Sequence, residues 1–395
     1  MHHFLAYYKT NKNKVMKTIM KNCHVMTPPT SASCNSRCTY CFKAQPCPNG
    51  MDIDDVTLQL FIRQQIDTQE TGDVIFTWQG NEPTLDRFNF FKRVIELQQQ
   101  FAQGKNIINT LLIDGILLDD SWCELFKKNQ FLISIAVDDD ISLQDSVCKT
   151  TSGKPLYHLI EEAVRLLQKH DLEFSTRTVI NAMNSQNPLR LYHYLKNLGS
   201  RHMQFIPLLE PLTQGGVDAR SLTPAALGTF LKTLFYSWVR LDIGTIKIPI
   251  FEHAFAAWCG LPAPTCAFAL FGDSVFASKI NDDLYECDCL VNPKTLLSNN
   301  HQPVITTMLK STENQIIEQN KPLLVAECMS CKVKFACHGG CPKDRVVLSE
   351  RGIPELNYYC ESYQVFFTYI EPYMLMMKAL WEQNYAPSDI RQYLS

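Results

Sequence analysis

"SCNSRCTYCF", residues 33–42, places three cysteines in a Cys-x3-Cys-x2-Cys spacing at Cys34, Cys38 and Cys41. Three thiolates are one ligand short of closing a tetrahedral metal site, and sites that keep an open position are the reactive ones. An iron–sulfur cluster held by three cysteines likewise leaves one iron free to bind another molecule. The spacing therefore predicts an open metal centre, with a zinc loop that borrows a distant fourth ligand as the alternative.

The chain around this triplet alternates between strand-like and helix-like patterns. Apolar residues recur at helical spacing in residues 55–69, 87–101 and 156–170. Six short apolar or alternating runs are typical of strands: "CHVMT" (23–27), "DVIFTWQ" (73–79), "NIINTLLI" (106–113), "FLISIAV" (131–137), "LEFSTRTVI" (172–180) and "HMQFIPL" (202–208). This alternation predicts an α/β fold, a parallel sheet of six β/α units whose C-terminal strand ends carry the chemistry. The triplet follows the first strand and therefore belongs to that rim.

Composition excludes several classes of partner. The chain has 395 residues, 46% of them hydrophobic, and a formal net charge of -3, so bulk electrostatics favours neither nucleic acid nor an anionic membrane surface. No apolar run reaches the roughly 20 residues that a membrane span needs. The first 22 residues lack the apolar stretch of a secretory signal. We therefore expect a soluble, cytoplasmic protein.

Of the 16 cysteines, twelve fall into two batches, and Cys23, Cys47, Cys123 and Cys148 are scattered. Cytosolic thiols are kept reduced, so many cysteines in such a protein indicate metal ligands rather than disulfides. The first batch is the triplet. The second lies in and around "ECMSCKVKFACHGGCPKDR" and comprises Cys259, Cys266, Cys287, Cys289, Cys328, Cys331, Cys337, Cys341 and Cys360. A small zinc ribbon is the alternative for the quartet between residues 328 and 341, since Cys-x2-Cys also suits zinc.

Two segments of the first half resemble the radical S-adenosylmethionine (SAM) superfamily. The triplet followed by Phe42 resembles the motif whose cluster chelates the methionine part of SAM through its open iron. "FTWQGNEPTL" resembles the superfamily's Gly-Gly-Glu-Pro turn, in which backbone and acid hold the SAM amino group. The resemblance implies this role for Gly80, Asn81 and Glu82, and a substrate contact for Gln79. Asn81 replaces a glycine, but Asn tolerates positive φ.

The second half resembles a SPASM domain, the extension with two auxiliary [4Fe–4S] clusters found in peptide-modifying radical SAM enzymes. Together with "LYECDCLVN" and "NYYCESYQVFF", the chain resembles anaerobic sulfatase-maturating enzymes over residues 23–370. The resemblance implies a partial (β/α)6 TIM-like barrel over residues 23–240 and a Cys-rich SPASM extension over residues 241–395. Residues 1–22 precede the resemblance, and Met16 and Met20 are alternative translation starts.

The resemblance also implies ligands for three [4Fe–4S] clusters in all. Cys328, Cys331, Cys337 and Cys360 would hold the second auxiliary cluster, while Cys341 and Cys287 would contribute to the first. Its other two ligands come in the family from Cys-x5-Cys, whereas this chain has Cys259-x6-Cys266. We assign Cys259 and Cys266. A gapless alignment instead puts Phe271 at the second ligand position, so that Cys259 or Cys289 completes the site or one iron stays open.

The implied reaction oxidises a Cys or Ser of a sulfatase to formylglycine, with a low-potential donor such as flavodoxin or ferredoxin supplying electrons. Hydrogen removal from an unactivated carbon needs a radical that no side chain supplies, so the cofactors carry that step. The family assigns proton removal to an Asp after an auxiliary-cluster cysteine, here Asp288, with a solvated loop acid as the alternative. Two other functions stay open: a SPASM maturase of another ribosomal peptide, and a noncatalytic Cys-rich metal scaffold.

Several positions depart from the family pattern. Lys43 stands at a family Tyr, Asp114 at an Asn, Ala136 at a Ser, and Cys148 at an Arg that contacts SAM. Replacing Arg by Cys removes a bidentate carboxylate clamp. Either another base such as Lys149 or Arg177 substitutes, or SAM binds more weakly.

Overall fold

The computed structural model describes residues 24–27, 34–38, 54–69, 72–79, 82–85, 87–138, 148–261, 263, 266–268, 275–278, 283–285, 296–299, 324–348 and 354–394. The chain forms two compact units. Among the described residues, those from 24 to 176 and from 275 to 299 belong to the sheet unit, and those from 177 to 268 and from 324 to 394 belong to the helical unit. The division near residue 240 that we expect from the end of the β/α alternation is a different partition and stays a prediction.

The strands in the described part are β1 (His24–Thr27), β2 (Ser36–Cys38), β3 (Asp73–Trp78), β4 (Asn106–Ile113), β5 (Leu132–Ala136), β6 (Cys148–Thr150), β7 (Phe174–Ile180), β8 (Met203–Pro207), β9 (Val275–Ser278), β10 (Asp283–Tyr285), β11 (Leu296–Asn299), β12 (Val347–Leu348) and β13 (Pro354–Leu356). The α-helices there are α1 (Asp55–Thr68), α2 (Phe88–Phe101), α3 (Asp120–Lys128), α4 (Tyr157–Lys169), α5 (Pro188–Asn197), α6 (Pro224–Leu241), α7 (Pro249–Trp258), α8 (Ala326–Met329), α9 (Lys334–Cys337) and α10 (Cys360–Glu382).

A parallel sheet organises the sheet unit. Its order is β9-β1-β3-β4-β5, with every one of these neighbouring pairs parallel, and β10 and β11 add an antiparallel edge. All six predicted strands form, as β1, β3, β4, β5, β7 and β8, and the three predicted helices form as α1, α2 and α4. The α/β prediction from periodicity is therefore confirmed. Strand β7 begins in the sheet unit and ends in the helical unit.

Local sequence explains why these elements start where they do. Asp54 caps α1 by accepting a hydrogen bond from the backbone N–H of Thr57 at 2.8 Å. Asp119 caps α3 in the same way through Trp122. Such caps satisfy N–H groups that a helix leaves free at its start. In β3, burial alternates along the strand, which is the pattern of a strand with one face in the core.

A satisfied polar network lies inside the core of the sheet unit. The indole N–H of Trp78 donates to Asn109 Oδ1 at 2.8 Å, and the amides of Asn109 and Gln98 exchange two hydrogen bonds at 2.8 and 2.9 Å. All three side chains are buried. Because buried polar groups are costly unless paired, this network fixes how α2 packs on β3 and β4.

Helices α6, α7 and α10 form the core of the helical unit. Phe366 of α10 is fully buried and packs near the rings of Phe235 and Phe251, with ring centroids 6.3 and 5.7 Å away. Gly228 of α6 faces Ser362 of α10, where an added Cβ would lie 3.6 Å from Ser362 Cα, an ordinary van der Waals contact. Ser362 Oγ donates to the carbonyl of Pro224 at 2.6 Å and ties the two helices together. No helix in the described ranges is long and apolar enough to cross a membrane.

The packing of α10 predicts a position-specific loss of stability. Phe366→Ala should lower the free energy of unfolding by about 3–5 kcal/mol, because it opens a cavity among aromatic rings. The control is the neighbouring substitution Val365→Ala. The Val365 side chain is 42% exposed, so this substitution should lower the free energy of unfolding by less than about 1 kcal/mol. Urea unfolding followed by circular dichroism measures both; equal losses would contradict this packing.

Candidate functional site

The first cysteine segment forms a short ladder in the sheet unit. Strand β2 pairs antiparallel with β6 in the register Ser36↔Thr150, Arg37↔Lys149 and Cys38↔Cys148. The Sγ of Cys34, a free and half-buried thiol, lies 3.2 Å from Ser36 Oγ. Burial raises the pKa of the Cys34 thiol above its ordinary value, although hydrogen bonding to Ser36 opposes the shift. Cys41 and Phe42 lie outside the described residues.

A disulfide joins Cys38 to Cys148 across this ladder, with Cα atoms 4.1 Å apart. The sequence patterns gave no sign of this bond, because the two strands are three residues long and 110 positions apart. Metal ligation requires a free thiolate. Cys38 can therefore bind a cluster only when this bond is reduced.

Glu82 lies where the chain leaves β3, and its carboxylate is held by backbone N–H groups. Oε1 accepts from the backbone N–H of Thr84 at 2.9 Å and from the Thr84 hydroxyl, while Oε2 accepts from the backbone N–H of Asp114 at 2.7 Å. Asp114 follows the end of β4, which pairs with β3. The parallel pairing thus brings the two acids together. Gln79 is buried at the end of β3, and Gly80 and Asn81 lie outside the described residues.

The carboxyl groups of Glu82 and Asp114 are neighbours, since the backbone N–H of Asp114 donates to Glu82 Oε2. Burial, followed by the charge of Asp114, raises the pKa of Glu82 well above its ordinary value. Burial also raises the pKa of Asp114. Two neighbouring buried acids cannot both ionise cheaply, so their proximity favours a protonated form. Besides burial, the negative charges of Asp114 and Glu82 raise the pKa of Cys34, so the first cysteine segment lies beside the acid pair.

The C-terminal cysteines converge in the helical unit. Four of them, Cys328, Cys331, Cys337 and Cys360, line one cavity, whose lining does not include Cys341. The amide of Gln364 donates to Cys360 Sγ at 3.3 Å. Within the described ranges, no three His, Cys, Asp or Glu side chains converge tightly enough to hold a single metal ion. The four thiols surround the cavity. This donor set fits a four-iron cluster, which takes one thiolate for each iron.

Burial raises the pKa of three of these thiols above its ordinary value. Burial raises the pKa of Cys337 to about 12. Burial raises the pKa values of Cys328 and Cys360 as well. Metal binding must therefore release protons from this pocket.

A left-handed turn connects Cys337 to Cys341. His338, Gly339 and Gly340 have φ values of 46°, 79° and 65°, a region that glycine enters freely and other residues enter at a cost. The buried guanidinium of Arg345 donates to the carbonyls of all three residues at 3.3–3.4 Å. Arg345 therefore holds the turn, a role that sequence reasoning missed although the Gly-Gly pair in "CHGGC" signals positive φ.

Two histidines attach this loop to the segment that contains Cys259 and Cys266. His253 of α7 donates from Nε2 to the carbonyl of Ala336 at 2.6 Å, and its ring stacks on Phe268 with a centroid distance of 4.7 Å. His338 Nδ1 donates to the Phe268 carbonyl at 2.7 Å. Burial lowers the pKa of His253 to about 4, so it is neutral. No sequence pattern distinguishes these histidines from ordinary core residues.

The remaining predicted site residues divide as follows. Cys259 is half-buried at the end of α7, and Cys266 begins a short 3-10 helix, Cys266–Phe268. Phe271, Cys287, Asp288 and Cys289 lie outside the described residues. Their assignments stay predictions.

The chain matches a known family and is similar in sequence to known proteins. The model of the radical SAM superfamily matches residues 29–195. A serine-type anaerobic sulfatase-maturating enzyme of Bacteroides thetaiotaomicron is 31% identical over 396 residues, which cover 95% of each chain. A cysteine-type anaerobic sulfatase-maturating enzyme of Clostridium perfringens is 28% identical, over 89% of this chain and 97% of the relative.

A solved structure of native anSMEcpe with bound AdoMet and Cp18Cys peptide superposes with a TM-score of 0.80 at 28% identity, over 91% of this chain and 99% of the other. The chain therefore has the α/β half-barrel fold that the sequence predicts, and its SPASM extension is consistent with this neighbour. The family resemblance drawn from the cysteine motifs is confirmed.

The left-handed turn generates a prediction with a matched control. Gly339→Ala places a Cβ 2.8 Å from Arg345 Nη2 and 2.5 Å from Leu324 Cδ2, whereas Gly216, at a nearly equal φ of 80°, has nothing within 4 Å. The control is Gly216→Ala. Both variants carry the same cost of placing Ala at positive φ, but only Gly339→Ala displaces the Arg345 guanidinium. We expect it to lose a further 1–3 kcal/mol, roughly, in free energy of unfolding. Urea unfolding of the metal-free protein measures the difference; equal losses would show that Arg345 does not hold the turn.

Proposed function

Because this chain belongs to the anaerobic sulfatase-maturating enzymes of the radical SAM superfamily, we propose that it oxidises the active-site Cys or Ser of a sulfatase to formylglycine. One observation of the structure carries the proposal. The backbone N–H of Asp114 donates to Glu82 Oε2, and the charges of both acids add to burial in raising the pKa of the Cys34 thiol in the first cysteine segment. The proposed cluster ligands and the proposed SAM site are thus neighbours within one unit.

The acid pair suits the positive ammonium group of SAM. Glu82 is fixed by two backbone N–H groups, so it needs no reorganisation when the cofactor binds. A bound ammonium would favour the ionised form of Glu82 and Asp114, because a cation beside two carboxylates offsets their repulsion. We assign Glu82, with Gly80 and Asn81, to this amino group and Gln79 to the substrate.

Three [4Fe–4S] clusters are proposed, each with its own cysteines. Cys34, Cys38 and Cys41 hold the first. The cavity lined by Cys328, Cys331, Cys337 and Cys360 supports the second auxiliary cluster. Cys259, Cys266, Cys287 and Cys341 are assigned to the other auxiliary cluster, and the exclusion of Cys341 from the cavity lining supports its separate role. When bound, SAM and the first cluster supply the radical that removes hydrogen from an unactivated carbon.

The chain itself provides position and proton transfer. Asp288 is proposed to take the proton from the substrate thiol or hydroxyl, in accordance with its place directly after Cys287. A flavodoxin- or ferredoxin-like protein is the proposed electron donor.

A peptide assay tests the function. Reconstituted protein is incubated without oxygen with SAM, a reductant and one of three peptides that differ at a single residue: Cys-x-Pro-x-Arg, Ser-x-Pro-x-Arg and Ala-x-Pro-x-Arg. Mass spectrometry and aldehyde capture should detect product from the Cys or the Ser peptide and none from the Ala peptide. The comparison of the first two identifies the target residue. Formation of 5′-deoxyadenosine with no aldehyde from either peptide would instead favour a maturase of another ribosomal peptide.

Replacing Cys34, Cys38 and Cys41 together by Ala should abolish 5′-deoxyadenosine formation, because no ligand for the first cluster remains. The variant should still bind about eight irons, the content of two four-iron clusters. A noncatalytic zinc scaffold would bind none. Retained SAM cleavage in this variant would exclude the triplet as the radical-generating site, and a count near four would leave one auxiliary cluster unfilled.

Asp288→Asn should lower aldehyde formation by about 10²–10⁴-fold, because the amide keeps the shape of the side chain but cannot act as a base. SAM cleavage should persist, so both products are measured in one reaction. Asp283→Asn in β10, five positions upstream, is the control. If both products fall together in Asp288→Asn, the residue supports a cofactor rather than proton transfer; if neither falls, it is a solvated loop acid.

A further inference from the structure

The bond between Cys38 and Cys148 follows from the backbone around it. The two cysteines are directly opposite each other in the β2–β6 ladder, and Ser36↔Thr150 and Arg37↔Lys149 fix the same register. The backbone N–H of Thr151 extends the pairing by donating to the Asn35 carbonyl at 2.8 Å. The Cα atoms of Cys38 and Cys148 are 4.1 Å apart, so side chains at this opposed pair are in reach of each other. The ladder therefore holds the two sulfurs together in either redox state.

We propose that Cys38 and Cys148 are a reversible thiol–disulfide pair that controls whether the first cysteine segment can bind its cluster. The disulfide itself rests on the geometry of the ladder. Its effect on the cluster rests on the proposed function, because Cys38 is one of the three proposed ligands. The sulfur of Cys38 cannot bond both to Cys148 and to iron, so the disulfide and the loaded cluster exclude each other.

Cys148 is the only cysteine opposite a triplet residue within the described ladder. Cys34 lies outside the paired residues, and its thiol is free. Cys148 is 3% exposed, whereas Cys38 is half-buried. An external oxidant therefore meets Cys38 first, and Cys148 acts as the resolving thiol. At this position the chain carries a thiol where its relatives, by resemblance, carry an Arg.

The oxidation balances with glutathione disulfide as the two-electron oxidant. The Cys38 thiolate attacks one sulfur of glutathione disulfide, and one glutathione thiolate leaves as the S–S bond breaks. The Cys148 thiolate then attacks the Cys38 sulfur of the mixed disulfide and expels the second glutathione. Two protein thiols lose two electrons and two protons in total, and one glutathione disulfide becomes two glutathione thiols. Dithiothreitol reverses the exchange.

The first test examines the metal-free, full-length protein in glutathione buffers of graded redox ratio. Free thiols are blocked, the protein is digested without reductant, and linked peptides are identified by mass spectrometry. We expect a peptide pair joined through Cys38 and Cys148 that disappears with dithiothreitol. Linkage of Cys38 to Cys34 or Cys41 instead, or no linkage at any ratio, would overturn the proposal. This test needs no variant and no activity.

The second test challenges the cluster-loaded protein with glutathione disulfide and counts iron and bound SAM, the latter by equilibrium dialysis. The wild type should lose about four irons per chain, the content of one cluster, together with SAM binding. Cys148→Ser should keep both at the same oxidant concentration. Cys123→Ala, which removes a buried cysteine of α3 in the same unit, should behave as the wild type. Equal losses from Cys148→Ser and the wild type would refute the control of the cluster by Cys148.

The two tests separate this proposal from the proposed function. Linked peptides from a protein that never binds iron would uphold the disulfide and refute the maturase function. Iron binding and peptide oxidation without linked peptides would uphold the maturase function and refute the disulfide.

Discussion

The parallel pairing of β3 with β4 is the constraint on which the first site depends. Their register aligns Trp78 with Leu111, so the two strands end at the same edge and deliver Glu82 and Asp114 to one place. The backbone N–H groups beyond the strand ends then hold the Glu82 carboxylate. This arrangement uses the carboxyl edge of a parallel sheet, where several chain segments meet, to bury two acids that no single segment could support.

The second site depends on a different constraint, the conformation of the three residues between Cys337 and Cys341. A left-handed turn would splay the carbonyls of His338, Gly339 and Gly340 into a buried region without partners, and Arg345 supplies them. The turn also separates the two cysteines functionally, since Cys337 lines the cavity and Cys341 does not. Backbone geometry thus decides which thiols share a pocket, and sequence spacing alone does not.

Periodicity predicted the six strands of the β/α alternation because each buries a face in a pattern that repeats within a few residues. The family resemblance grouped Cys328, Cys331, Cys337 and Cys360, and these four thiols line one cavity. The β2–β6 ladder escaped prediction because pairing between two three-residue strands leaves no periodic signal. The interleaved units also escaped, since the sheet unit takes residues from both sides of the helical segment at 177–268.

Cys148 shows what the structure adds to the sequence pattern. The family resemblance implies an Arg at this position, and a thiol cannot supply the charge or the bidentate hydrogen bonds of that Arg. Taken with the ladder, it is a sulfur opposite Cys38. The same thiolate character that lets Cys38 bind iron also makes it the nucleophile in disulfide exchange. Under the proposals made above, the Cys148 thiol competes with iron for Cys38 and does not supply the carboxylate contact that the family resemblance implies for an Arg at this position.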